Sequence, residues 1–430
     1  MFSKSIKTIV LAATLVATFP AIGNDSIVKP LFPLHRLTAD VSLKLPAGFS
    51  ADVAHEGTGS NRHIAIHPNG TVYVKLSRPK DQKGILVLRS NGSGKLEQVA
   101  AFGNYGGTGI AVKDGFLYAS SDEDVFRYKL DDKGNVIDPS QPQRIVTGLL
   151  NKRQHSSKSI ALDNAGNIYV NIGAPSNACQ EQDRTNGSPG MNPCPILENA
   201  AGVWQFRADK TDQSYKEGTR YATGIRNIVG LDWNSSVNEL YAVQHGRDDL
   251  NRLFPELFNQ QQSAELPAEE MFLLKKGSDF GWPYCYYDGL QKKKVLAPEY
   301  GGDGKKTERC ADKDQPIMAF PGHWAPNALL FYTGDQFPER YKNGAFVAFH
   351  GSWNRSPLGQ KGFNVVFVPF KDGKPSGDYE IFADGFIGAE EIASPGQAKH
   401  RPCGLAQGSD GSLYISDSVK GTIWKISYKK

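Results

Sequence analysis

The sequence predicts an all-β chain folded as a six-bladed β-propeller with loop insertions, and three observations carry that prediction. Gly (45) and Pro (25) are abundant and Met (4) is scarce among 430 residues. Such a turn-rich composition favours many short strands over helical bundles. One unit, a strand, a Gly/Asn/Asp turn and a second strand, recurs six times along the chain. The copies stand about 45 residues or more apart, enough chain for one blade each.

The copies follow in order. The first reads His63-Ile-Ala-Ile-His-Pro-Asn-Gly-Thr-Val-Tyr-Val74 and the second Gly109-Ile-Ala-Val-Lys-Asp-Gly-Phe-Leu-Tyr-Ala119. The third is Ser159-Ile-Ala-Leu-Asp-Asn-Ala-Gly-Asn-Ile-Tyr-Val170, and a looser fourth runs from Val229-Gly-Leu-Asp-Trp to Glu239-Leu-Tyr-Ala-Val243. The fifth spans Ala328-Leu-Leu-Phe to Gly344-Ala-Phe-Val-Ala348, and the sixth is Gly404-Leu-Ala-Gln-Gly-Ser-Asp-Gly-Ser-Leu-Tyr-Ile415. Tyrosines align at 73, 118, 169, 241 and 414, with Phe346 standing in once. The alternative, independent hairpins in a sandwich, does not require one unit to recur six times. The longer gaps, 170–229 and 243–328, read as loop insertions.

Residues 1–23 read as a signal peptide, which leaves 24–430 as a single propeller domain. Lys4 and Lys7 form its charged start, Thr8 to Pro20 an apolar core, and Ala21-Ile-Gly23 offers small residues for cleavage. The apolar run is short for a bilayer span, and no other stretch approaches the length one needs. The expected location is therefore the periplasm or the medium. Export makes disulfides expected. Cys179 with Cys194 and Cys285 with Cys310 would each close a turn-rich inserted loop, leaving Cys403 over. With 49 basic against 45 acidic residues, the net charge is +4. No basic stripe exists to track a nucleic acid backbone.

In a propeller the inner strand of each blade runs along the central channel. The residues just before each first strand and just after each second strand then meet at one end of it. The first set holds Arg62, Thr108, His155, Arg226-Asn227, Asn327 and Arg401; the second holds Lys75, His245-Gly246, His350 and Asp417. Converging guanidinium groups suit bidentate capture of carboxylates or phosphates, although any one of them can equally serve a loop aspartate. His155 has the chemistry of a general base, against the plainer reading of a hydrogen-bonded interface histidine. His350-Gly-Ser-Trp-Asn-Arg355 joins a strand to a loop in which Trp353 can stack on a flat ligand or simply pack. The turn His245-Gly-Arg-Asp-Asp249 is a candidate for a hard cation held by backbone oxygens, or a solvated charged turn. Phe280-Gly-Trp-Pro283 reads as a rigid structural turn.

Taken as an ordered set, these residues resemble the pyrroloquinoline quinone (PQQ)-dependent sugar dehydrogenases of the glucose/sorbosone dehydrogenase family, and among them the sorbosone dehydrogenase-like branch. The resemblance runs from Leu43-Lys-Leu-Pro-Ala-Gly-Phe49 to the last blade. It is carried by Gly224-Ile-Arg-Asn227, His245-Gly-Arg-Asp248, Phe280-Gly-Trp-Pro283, His350-Gly-Ser-Trp-Asn-Arg355 and Arg401-Pro402 with Gly404-Leu405. It implies PQQ and Ca2+ as cofactors. The calcium would be held partly by the backbone oxygens of Gly246 and Arg247, and His155 would be the base. Arg226 would pin the cofactor oxygen, with Asn227, His350 and Trp353 around the cofactor. Arg401 and Arg62 would bind its carboxylates. Ile228-Val229 stands where the glucose-oxidising branch has Pro-Gln, and the lysine of that branch has no secure counterpart, Lys361 lying in an unaligned loop. No Cys-x-x-Cys-His haem motif is present, so electrons would leave to a separate acceptor such as a cytochrome, a quinone or a dye.

The expected function is sugar oxidation by hydride transfer to the quinone. Two other classes compete: a calcium-dependent lactonase or hydrolase, which needs carboxylates converging on its metal, and a propeller that binds a protein or glycan without catalysis. The channel-end set is rich in Arg and His and poor in carboxylates, which favours the first reading.

Overall fold

In the computed structural model, residues 41–429 are described; the expected signal peptide lies outside them. The strands form six antiparallel blades. Blade 1 takes Asn61–Ile66, Val72–Lys80, Lys83–Ser90 and Leu96–Phe102, and blade 2 takes Ile110–Lys113, Phe116–Ser120, Val125–Lys129 and Gln143–Val146. Blade 3 is Ile160–Leu162, Asn167–Ile172, Gly202–Arg207 and Thr219–Thr223, to which Ser278–Asp279 adds a short parallel strand. Blade 4 is Ile228–Asn234, Glu239–Gln244, Glu269–Leu274 and Met318–Phe320. Blade 5 is Pro326–Phe331, Ala345–Phe349, Asn364–Val368 and Glu380–Ala383. Each predicted hairpin is the inner pair of a blade.

Blade 6 closes the ring. Pro402–Gln407, Leu413–Asp417 and Ile423–Tyr428 supply three strands, and the fourth comes from the other end of the chain. Phe49–His55 pairs antiparallel with the last strand, Phe49 opposite Tyr428. Its hydrogen bonds leave no open gap between first and last blades.

Six of the apolar clusters lie between the blades, one at each pair of neighbours. Tyr73 and Ile85 of blade 1, for instance, pack on Leu117 and Tyr128 of blade 2. The aligned tyrosines explain themselves here. They are buried on the second strand, and Tyr73 donates its hydroxyl across to Gly134 O (2.5 Å) and Tyr241 to Gly373 O (2.6 Å). Truncating one of the large aliphatic side chains in such a cluster costs about 2–5 kcal/mol. Inner strands line an axial cavity of ≈320 Å³ with Ile64, Ile110, Ile160, Leu231, Leu329 and Leu405, one from each blade.

Both predicted disulfides form, Cys179–Cys194 and Cys285–Cys310, and Cys403 is buried and free. The two bridges share one cluster with Trp282, Tyr284 and Leu296. The inserted loops of blades 3 and 4 thus pack on each other beside the ring. No helix among the described residues is long and apolar enough to cross a membrane.

Candidate active site

Six connections meet at one end of the channel, and hydrogen bonds link them from blade to blade, with Ser416 Oγ donating to Arg62 O (2.8 Å) between blades 6 and 1. Arg62 donates through Nε to Thr108 Oγ1 (3.0 Å) and through Nη2 to Ser157 Oγ (3.2 Å), linking blades 1, 2 and 3. Asn171 Nδ2 approaches Asn227 Oδ1 (3.4 Å), joining blades 3 and 4. His245 Nε2 lies 3.0 Å from Asn327 Oδ1, joining blades 4 and 5. Asn327 Nδ2 reaches Cys403 Sγ (3.6 Å), and Arg401 Nε donates to His350 O (2.9 Å), joining blades 5 and 6. Arg62, Asn227, His350 and Arg401 thus meet at this channel end, and His155 and Arg226 line a cavity beside it.

His155 sits at φ +55° in the turn before blade 3. Gly173 makes room for it: a Cβ there would stand 2.7 Å from His155 Cβ and 2.6 Å from Asn227 Oδ1. The ring Nδ1 lies 2.6 Å from Ala174 O. A carbonyl only accepts, so Nδ1 carries the hydrogen and Nε2 keeps its lone pair. Burial, and then the charge of Arg226, hold this imidazole well below its usual pKa. It is neutral at pH 7, as a base must be.

His155 opens onto a cavity of ≈200 Å³ that it shares with Arg184, Arg226, His245, Gly246, Asp248 and Glu269. His323 and Trp353 also line it, and Trp353 stands 52% exposed at its edge. Arg226 is buried. It donates to Gly246 O (2.7 Å), Asn177 Oδ1 (3.1 Å) and Asp248 Oδ2 (2.6 Å), while its Nε is buried without a partner. Gly246 is needed because Pro267 Cγ would meet a Cβ at 2.8 Å.

Electrostatics divide the site. Arg401 donates to His350 O and, through Nη2, to Gly351 O (2.5 Å), and Arg62 to two hydroxyls. Among the described residues neither has a carboxylate ion pair. Burial lowers Arg401 to about 10, and Arg62 adds to the lowering. His350 is held well below its ordinary value by burial and by Arg401 and Arg62; its Nε2 meets Ser418 Oγ (2.7 Å). His245 falls to about 4 through burial and then Arg226. Glu269 rises to about 8 by burial although its oxygens accept from Gly246 N (2.8 Å) and Ala325 N (2.9 Å).

Two members of the predicted second set do other work. Lys75 is buried, and its ammonium donates to Tyr105 O (2.8 Å) and Gly84 O (3.2 Å), turned away into the wall between blades 1 and 2. Asp417 accepts from Arg401 N (2.7 Å), Val419 N (3.0 Å) and Lys420 N (2.8 Å), so it caps a turn. Arg247 points its side chain outward into a buried ion pair with Glu299 (2.5 Å), which leaves only its backbone for the channel. Trp282 of the Phe-Gly-Trp-Pro turn donates to Asn177 O (3.0 Å) and so backs the site from behind.

Sequence reading missed Arg184, Asn354 and His323, on inserted or connecting segments without periodicity, and Glu269, which begins the third strand of blade 4. Among the described residues no group of three or more His, Cys, Asp or Glu is placed to hold a metal. A cation here would lean on carbonyl oxygens and on its own ligand.

The fold and site define a class: a six-bladed propeller with a cationic, histidine-bearing pocket at one end of its channel. The chain belongs to the TrAA12-like family, whose model matches residues 43–429. An uncharacterised protein of Borreliella burgdorferi is 27% identical over 282 residues, covering 65% of this chain and 62% of that one, so the match takes in under two thirds of that relative. A pyrroloquinoline quinone-dependent sugar dehydrogenase of Hypocrea jecorina is 23% identical over 339 residues, 74% of this chain and 73% of that one. The calcium structure of the Trichoderma reesei enzyme of carbohydrate-active family AA12 superposes with a TM-score of 0.74 at 18% identity, over 92% of this chain and 100% of that one. At that identity the likeness speaks for the fold.

Proposed function

We propose that this chain is an exported PQQ- and calcium-dependent sugar dehydrogenase that oxidises an aldose or aldehyde sugar of the glucose or sorbosone kind, with His155 as general base. The observation that carries the reading is His155, with Nδ1 tied to Ala174 O, sharing one cavity with Arg226, while Arg62 and Arg401 stand around His350 at the same channel end. The quinone and calcium named for the relatives support it, as do the two disulfides, which favour an oxidising compartment.

The residues fit both groups. Arg62 and Arg401 have only neutral acceptors, and Arg226 Nε has none, which leaves charge and donors for a multiply anionic ligand. Gly246 O has given one lone pair to Arg226 and keeps another for a cation. When bound, PQQ would supply a hydride acceptor and calcium a positive charge to offset the negative charge that arrives. Arg62 and Arg401 hold carboxylates by charge-assisted hydrogen bonds, with Asn227 and His350 beside them. Arg226 sets a fixed positive charge where negative charge develops, at no reorganisation cost. Gly246 and Arg247 offer their carbonyls to the cation. Trp353 presents an exposed face to stack on a sugar or a flat ring. His155 takes the proton of the sugar hydroxyl at Nε2, and its bond to Ala174 keeps the ring in the orientation that permits this. Electrons then leave to a separate acceptor.

The test is reconstitution. Purified protein is given PQQ and calcium, and aldoses and ketoaldoses are screened for reduction of an artificial dye, with His155→Ala as control. Turnover that requires both additions and fails in the variant is expected. Folded protein that shows no absorbance change on titration with PQQ overturns the reading, and a binding propeller then leads.

A further inference from the structure

Asp248 accepts from two guanidinium groups at one oxygen. Oδ2 lies 2.6 Å from Arg226 Nη2 and 2.6 Å from Arg184 Nη2, and Oδ1 meets Asn354 Nδ2. Arg184 also reaches Asp249 (2.7 Å). The two arginines come from unlike places. Arg226 is dictated by the blade repeat, whereas Arg184 belongs to the loop clasped by Cys179–Cys194. That loop is organised to present it. Gln180 Oε1 accepts from Arg184 N (3.0 Å), and its amide donates to Thr185 O (2.9 Å) and Ser188 O (3.0 Å). Asp183 accepts from Ser176 Oγ (2.6 Å) and Asn177 N (2.8 Å). Asn177 in turn accepts from Asp248 N (2.8 Å) and donates to Asp248 O (3.0 Å). Arg184 itself lies at φ +56°, a strained conformation for a non-glycine residue, held by this network.

Arg184, Arg226 and Arg252 face Asp183, Asp248 and Asp249, so the cluster is balanced in charge, and what it fixes is the position of each guanidinium. We propose that Arg184 is a positioning residue of the cofactor site: by anchoring the Asp248 carboxylate it holds Arg226 in place at the cavity wall, and the disulfide loop exists in part to deliver it. Asn354, next to Trp353, ties the opposite loop to the same carboxylate, so Asp248 is the hub of both. Arg184 and Asp248 therefore act on the reacting centre through Arg226, and their own charges have opposite signs.

The inference rests on the quinoprotein reading, and the experiment separates the two. PQQ with calcium is titrated into wild-type protein, Arg184→Gln, Arg184→Lys and Asp248→Asn, and the midpoint potential of the bound quinone is read by spectroelectrochemistry. Thermal unfolding of each variant confirms that it folds. Arg184→Gln is expected to weaken binding at least about tenfold, the loss of one charge-assisted contribution, and to move the midpoint to lower potential. Arg184→Lys should weaken binding nearly as much, since a single ammonium cannot bridge Asp248 and Asp249 as the guanidinium fork does. Asp248→Asn should move the midpoint upward, a reversal that general structural damage does not produce. Equal binding and equal potentials across the set overturn the inference while leaving the dehydrogenase reading intact. Midpoints that shift in the same direction in Arg184→Gln and Asp248→Asn also overturn it. No PQQ binding by any of the four, wild type included, overturns the reading and the inference with it.

Discussion

On the side of the channel mouth built by blades 6 and 1, Arg401 and Arg62 donate to carbonyls and hydroxyls. On the side built by blades 3 and 4, Arg226 and Arg184 converge on Asp248. The first pair is charge without compensation, which in a partly dry site is costly until an anion arrives. The second is compensated and rigid before any ligand binds. A site that must both attract an anionic cofactor and hold one guanidinium in register profits from the two arrangements together: open charge gives affinity, shared charge gives geometry.

Three changes separate these roles. The largest effect belongs to the residue between the sides. His155→Ala should lower turnover by about 10²–10⁴-fold in dye reduction while quinone binding changes little, because the base touches the substrate's proton and not the carboxylates. Its pH profile carries a sign. The neutral imidazole is the active form, and burial with Arg226 depresses its pKa, so the acid limb of the rate should lie below pH 6.5. A limb at or above that value contradicts the assignment.

The comparison itself is broken by Arg226→Met against Arg401→Met. Removing Arg226 leaves Asp248 with Arg184 as its one guanidinium partner and should cost about 1.5–3 kcal/mol of stability, seen as a lower unfolding midpoint. Arg401 has no such carboxylate partner. Arg401→Met should leave the unfolding midpoint near wild type and weaken PQQ binding by about tenfold or more. Equal stability losses would show that the two sides do not differ. The last of the three is the paired change Cys179→Ser with Cys194→Ser. Opening a loop of this length should cost up to about 3 kcal/mol. It should also loosen Arg184 and weaken PQQ binding in the manner of Arg184→Gln.

Much of the fold was legible because strands declare themselves locally. Alternating apolar residues around a Gly/Asn/Asp turn specify a hairpin wherever it lies, and six such hairpins specify a ring. The same periodicity located Arg62, Arg226 and Arg401, since each stands at or just before the start of an inner strand. Lys75 occupied an equally good position and was still misread. Its flexible stem let the ammonium turn into the wall, onto Tyr105 O, a choice made by packing and not by register. The closing strand Phe49–His55 was invisible for another reason: nothing local records that it pairs with Ile423–Tyr428 at the far end of the chain.

The amino-acid sequence by itself determined the blade count, the arginines and histidines at the channel end, and the cysteines placed to pair. These depend on short-range pattern, composition and residue chemistry. Only the tertiary structure decided that Arg184 leaves a disulfide loop to share Asp248 with Arg226, that Arg247 turns its side chain to Glu299, and that Glu269 lies against Gly246. Those contacts join segments with no common period, and their energies come from burial and charge pairing at distances that no local pattern encodes.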